Sequence, residues 1–179
     1  TMEMLDAMGQ IPQMLVVGID ATNTVRDYMP QPLEGREGSG HADEFIRFLT
    51  EELTPWVDAN YRTEPFRILC GASNSGLLTI YTLLATPEAF SAYLAASPSI
   101  GWFPEFMRER VETAFKTDSL LSARLYMNWA GKDLERIVSS AMPDFIALFE
   151  RSAPPSLKWS VDYLENAGHV PYVSFYNGL

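Results

Sequence analysis

With 179 residues, 47% of them hydrophobic and 12% aromatic, the chain can bury one substantial core and is too short for two ordinary domains. Its formal net charge of −10, with 13 scattered lysines and arginines against 23 acidic residues, disfavours a nucleic-acid backbone or an anionic membrane surface as partner. A single cysteine excludes an intrachain disulfide, one Cys with two His leaves no zinc pattern, and no apolar run reaches the length of a transmembrane helix.

Residues 2–8 read as the end of a helix, closed by the break at Gly9-Gln10-Ile11-Pro12, and Thr1-Met2-Glu3-Met4 lacks a charged-then-apolar leader. Residues 14–19, Met-Leu-Val-Val-Gly-Ile, predict a first strand buried on both faces. Residues 20–40, with Asn23, Pro30, Pro32, Gly35, Gly38 and Gly40, read as a long irregular loop, and such loops in small domains often carry function. From His41 or Asp43 onward, Phe45, Phe48, Leu49, Leu53, Trp56 and Val57 recur at helical spacing, with Pro55 expected to kink or interrupt the helix.

The second strand is expected at 67–70, with a helix at 77–84 behind it. A third strand at 92–96 ends in Ser97-Pro98-Ser99, and 106–115 predict a helix. A fourth strand at 125–130 ends in Gly131-Lys132-Asp133, followed by a helix at 142–149 that stops before Pro154-Pro155. The fifth strand, 159–164, runs out near Ala167-Gly168-His169. There is no repeat, low-complexity tract or linker, and the whole of 1–179 reads as one domain.

Strand–helix alternation of this kind predicts an α/β fold with a mostly parallel sheet. Crossover helices cover the faces of such a sheet, so ligands collect at the carboxyl ends of its strands. Three chemically capable residues fall there. Ser73 follows the second strand, Asp133 the fourth and His169 the fifth, in the chain order serine, acid, histidine. Around the first of them, Gly71-Ala72-Ser73-Asn74-Ser75-Gly76 separates an apolar run from a helical one. That is the pattern of a sharp strand–turn–helix unit with a serine at its apex. Such a serine is poised as a nucleophile, and the Asn74 amide is poised to hold an oxyanion.

His169 is the better candidate for general base, because imidazole is the side chain that titrates near neutral pH and only His41 competes. His41 precedes a helix start and can simply face solvent. Asp133 would orient the imidazole, and Glu135, close behind, could take that role instead. Ser75 is an alternative hydroxyl that suits packing better. Cys70 reads as a buried structural thiol. Trp102 and Phe103, after the Ser97-Pro98-Ser99 turn, could wall a substrate or simply pack the core. Arg26 and Asp27, in the long loop, could bind substrate or pair with each other.

The chain resembles the esterase branch of the α/β hydrolases that includes enterochelin (siderophore) esterases and esterase-D-like enzymes. The residues that carry the resemblance are Val16-Val17-Gly18-Ile19 with Arg26-Asp27-Tyr28-Met29-Pro30, then the stretch from Ala42-Asp43-Glu44-Phe45 to Glu51-Glu52-Leu53-Thr54-Pro55-Trp56. Asn60-Tyr61-Arg62-Thr63, Ser97-Pro98-Ser99 and Gly168-His169-Val170-Pro171 complete it. The resemblance implies a three-layer α/β-hydrolase domain, of which this chain is the second half of the sheet. The family's first strands would precede Thr1, and the tail from Phe175 resembles a stretch that continues into one more helix. Where the family has Gly-His-Ser-x-Gly-Gly, this chain has Ala72 for the histidine and Ser75 for the first paired glycine.

The chemistry implied is hydrolysis of a small-molecule carboxylic ester through an acyl-enzyme on Ser73, with no metal or organic cofactor required. The second oxyanion donor normally comes from a loop after an earlier strand, and nothing here supplies it. Two alternatives stay open. One is a degenerate hydrolase domain that binds without turnover, rescued by a homodimer that pairs open sheet edges. The other is an acyltransferase of the same fold.

Overall fold

The computed structural model of the chain describes residues 6–9, 11–117 and 123–179. From residue 68 onward, apolar runs of strand length alternate with helical segments, and each of these runs finds a parallel neighbour. Strands β1 (Ile68–Ala72), β2 (Ala92–Ala96), β3 (Arg124–Lys132) and β4 (Lys158–Gly168) form one parallel sheet in the order β1-β2-β3-β4.

The helices are α1 (Thr24–Tyr28), α2 (Ala42–Arg47), α3 (Thr54–Asn60), α4 (Asn74–Ala85), α5 (Pro104–Lys116), α6 (Met142–Ser152) and α7 (Val173–Gly178). Two of them, α5 and α6, begin with proline at the first or second helical position, where a missing N–H has no cost.

Strand order that never reverses has a consequence. Right-handed crossovers stepping always in one direction put their helices on one face of the sheet. The main core lies on that face, where Tyr93, Ala95, Leu125 and Met127 of the strands meet Leu77, Ile80, Met107, Val111, Phe145 and Phe149 of α4, α5 and α6. The alternate strand residues point the other way. Leu94 and Tyr126 on that second face lie beside α7, close enough that a Cβ on Gly178 would sit 2.3 Å from the Leu94 side chain. The expected third layer is, among the described residues, this one short helix.

Three sequence expectations are corrected. Residues 14–19 are irregular and, from Leu15 on, exposed, with Val16 at 66% and Leu15 at 52% exposure. An apolar, β-branched run needs a strand to pair with, and none lies alongside it among the described residues. The loop at 20–40 contains α1, capped by Asn23, whose Oδ1 accepts the Arg26 N–H at 3.0 Å. Cys70 is exposed on β1, because it faces away from α4 and beyond the reach of α7. Of the expected helix at 2–8, residues 2–5 lie outside the described residues, and Asp6 and Ala7 are helical.

Pro55 interrupts the α-helix, as expected, through a wider turn just before it. Residues Phe48–Leu53 wind as a π-helix, and the Thr54 N–H reaches back five residues to the Leu49 carbonyl. Proline has no N–H to give and its ring crowds the carbonyl four residues earlier; the wider turn accommodates both.

Candidate active site

Between the last residue of β1 and the first of α4 there is one residue, Ser73. Its backbone has φ 57 and ψ −118, a conformation that costs a non-glycine residue about 1–3 kcal/mol. Three hydrogen bonds hold it there. The Ser73 N–H donates to the Ala96 carbonyl at 2.9 Å, while its carbonyl accepts from Leu77 N–H at 3.0 Å and Ser99 N–H at 3.1 Å.

The turn is tight because helix and strand touch. A Cβ on Gly71 would lie 2.2 Å from the Ser75 carbonyl oxygen and 2.5 Å from Thr79 Oγ1. Ser75 is stitched into the same turn: its hydroxyl donates to the Ala72 carbonyl at 2.8 Å and accepts the Ala72 N–H at 2.9 Å. Those two bonds occupy Ser75. The Ser73 hydroxyl makes no capping bond to α4 and instead lies 3.3 Å from Ser99 Oγ. Asn74 is the first residue of α4, so its N–H is among those with no acceptor inside the helix.

Asp133 and His169 meet because the sheet register brings them together. Lys132 of β3 is paired with Gly168 of β4, and the strands end one residue before Asp133 and His169. The Asp133 side chain is wholly shielded, at 0% exposure. Its carboxylate accepts the Ala130 N–H at 3.1 Å through Oδ2 and the Leu134 N–H at 2.9 Å through Oδ1. His169 Nδ1 lies 2.5 Å from Oδ1, with a quarter of the histidine side chain exposed. Glu135, the other candidate acid, is exposed and begins the π-helical segment Glu135–Ser139. Among the described residues no hydrogen bond joins Ser73 directly to His169. The structure thus brings acid and imidazole into contact and sets the serine at the end of β1, on the same edge of the sheet.

Trp102 and Phe103 stand beside this edge, both half-buried against the core. Trp102 Nε1 donates to Asn74 Oδ1 at 3.1 Å, tying the aromatic pair to the elbow. The two side chains also wall a cleft of about 630 Å³, whose other lining includes Pro32, Leu33, Arg36 and Arg136. Glu34 joins the two arginines in that lining, and Ser73, Asp133 and His169 are not part of it.

The remaining candidates sit elsewhere. Arg26 and Asp27 pair with each other at 3.7 Å. His41 pairs through Nδ1 with Glu44 at 2.9 Å at the start of α2. Although Cys70 is exposed, its local packing desolvates the thiol and pushes its pKa up to about 11, so it stays protonated. No cluster of three or more His, Cys, Asp or Glu suited to a metal occurs among the described residues.

Two serines and an asparagine were given no role of their own in the reading of the sequence. Ser97 and Ser99 are fully buried beside the elbow, and Asn128 is a buried polar residue inside an apolar strand. A polar residue interrupting the run 125–130 was the available signal, as was the pair of serines closing β2.

A strained serine between a strand and a helix, with an acid–histidine pair at later ends of the same parallel sheet, defines an α/β fold of the serine-hydrolase type. The solved IroE-like serine hydrolase from Shewanella oneidensis has the same fold, with a TM-score of 0.77 at 26% identity over 88% of this chain and 56% of that one. The chain belongs to the family described as "Putative esterase", whose model matches residues 1–136. It is 31% identical to the ferri-bacillibactin esterase BesA of Bacillus subtilis over 134 residues, 73% of this chain and 46% of that protein. It is 38% identical to the siderophore enterobactin esterase of Emericella nidulans over 96 residues, 46% of this chain and 30% of that protein. The chain therefore spans about half or less of the length of these curated relatives.

Proposed function

We propose that the chain carries the catalytic residues of a serine esterase, with Ser73 as nucleophile, His169 as general base and Asp133 as the acid that orients the imidazole. The observation that carries this reading is the fixed Asp133–His169 pair at the strand ends where Ser73 occupies its strained turn. The names of the relatives, a bacillibactin and an enterobactin esterase, support an ester of the siderophore class as substrate. The cleft walled by Trp102 and Phe103, with Arg36, Arg136 and Glu34 in its lining, offers such a substrate both apolar surface and polar partners.

In this reading His169 takes the hydroxyl proton through Nε2 while the Ser73 oxygen adds to the ester carbonyl. The Asn74 N–H stabilises the negative oxygen that forms. The tetrahedral centre collapses, the carbon–oxygen bond to the alcohol breaks, and His169 returns its proton to the departing alkoxide. Water then attacks the acyl-serine by the same steps, giving the acid and free Ser73. Bond formation between His169 and Ser73 would come with substrate, since catalytic hydrogen bonds are often long before it binds. Hydrolysis of a short p-nitrophenyl ester should be abolished by Ser73→Ala, and a fluorophosphonate should label Ser73. An Ala variant as fast as the native chain would refute the assignment.

One observation favours a second reading, binding without turnover: the Ser73 hydroxyl is engaged with Ser99 and not with His169. Under it, the protein binds a siderophore-type ester, fails to label with fluorophosphonate, and returns the ester intact. The outer edge of β1, where no strand pairs among the described residues, also supports a homodimer joined through that edge. Sedimentation showing monomer alone would remove the dimer.

A further inference from the structure

The loop that carries His169 is fastened to the sheet by bonds the esterase reading does not use. Val170 has φ +52, in the left-handed region. For a β-branched residue this is a true outlier, and Pro171 next to it narrows the choices of backbone still further. Strain of this kind persists only where surrounding contacts impose it. The contact here is a hydroxyl. Ser97 Oγ accepts the Val170 N–H at 3.1 Å across 73 residues of sequence.

Ser97 is itself built into place. It is fully buried, has φ +44, and its N–H donates to the Asn128 carbonyl at 2.9 Å, extending the β2–β3 ladder by one step. Asn128 then repeats the arrangement on the far side of the loop. Its Nδ2 donates to Ser174 Oγ at 2.5 Å, with both residues fully buried. Residues 170 and 174 are thus pinned from adjacent strands, and His169 lies immediately outside the first pin.

From this geometry we infer that Ser97 is a positioning residue for His169. Its hydroxyl holds Val170 in a conformation the chain would otherwise leave, and so fixes the peptide from which the imidazole projects. Asp133 grips the ring and Ser97 grips the backbone behind it. With only the first grip, the ring keeps its partner and loses a fixed bearing. The inference rests on the assignment of His169 as general base in the proposed function, and its test separates the two.

The variants are Ser97→Gly, which removes the hydroxyl while suiting a positive φ, and Ser97→Gly combined with Val170→Asn, since asparagine tolerates the left-handed region. With a p-nitrophenyl ester, Ser97→Gly should lower kcat roughly 10- to 100-fold, the scale of a small misplacement of a reacting group, while KM holds within about twofold. Fluorophosphonate labelling of Ser73 should slow by the same factor. The proton between Asp133 and His169 should give a downfield resonance in the native protein that broadens or vanishes in the variant. The double variant should recover part of both rate and resonance.

Native kcat together with a sharp resonance in Ser97→Gly would overturn the inference. A native protein that neither labels nor turns over, yet loses the resonance in Ser97→Gly, would sink the esterase reading and leave the positioning role standing. Should Ser97→Gly not fold, Ser97→Cys, close in size and a weaker acceptor, reports through the same readouts.

Discussion

A carboxylate with no solvent at its side chain is tolerable at position 133 because three donors meet it: the N–H groups of Ala130 and Leu134 and the ring of His169. Replacing one oxygen by an amide breaks this agreement, since an Asn at that position must turn an NH₂ toward donors. Asp133→Asn should therefore lower kcat for an ester by about 10⁴-fold with KM little changed, on the precedent of buried triad acids. Glu135→Gln, at an exposed position making none of these bonds, should leave the rate as it is, and comparing the two variants decides the acid. The elbow offers a stability test at the same scale. Any Cβ at Gly71 meets backbone that cannot step aside, so Gly71→Ala should destabilise by about 2–3 kcal/mol or more, read from urea unfolding.

At the scale of elements, what could be read from the chain was whatever depends on local pattern. The strands β2, β3 and β4 and the helices α4, α5 and α6 each contain the expected segment: burial leaves an apolar run in β2, β3 and α4, and one-sided packing leaves alternation in the edge strand β4 and a helical stripe in α5 and α6. The sheet register brings Asp133 to His169, and position at strand ends was what singled both out as candidates. Pattern says nothing about whether a partner is at hand, which is why residues 14–19 read as a strand and lie irregular and, from Leu15 on, exposed. Nor does it reveal backbone angles at non-glycine positions, so the turns at Ser97 and Val170 left no trace in composition. The packing of α6 gives a prediction of its own. Phe149 is fully buried, with the rings of Phe115, Phe145 and Trp159 at 5.0, 5.1 and 5.4 Å. Phe149→Ala should cost about 3–5 kcal/mol of stability, seen as a lower urea midpoint.

Taken whole, the molecule holds several protons more tightly when folded. Desolvation raises Cys70 from 9.0 to about 11. Desolvation first, and then the hydrogen bond from its hydroxyl to Asp43, raises Tyr81 from 10.0 to about 12. Burial moves Tyr93 and Tyr126 in the same direction. Groups raised in this way contribute fully while the unfolded chain is also protonated, and that contribution drains away as pH climbs through the folded values. Unfolding midpoints should accordingly be insensitive to these groups below about pH 9 and fall steadily toward pH 12. Tyr81→Phe should make the decline shallower, and an equally steep decline in that variant would place its cause elsewhere.

One thiol in the entire chain, standing at the outermost strand, also makes the protein self-addressing for spectroscopy. A nitroxide or dye attached at Cys70 goes to a single place without removing any competitor by mutation. Because its sulfur stays protonated at neutral pH, coupling will be slow there and quicker under mild alkali. Once attached, the tag reads out whatever comes to lie against that rim of the sheet, by the loss of its mobility.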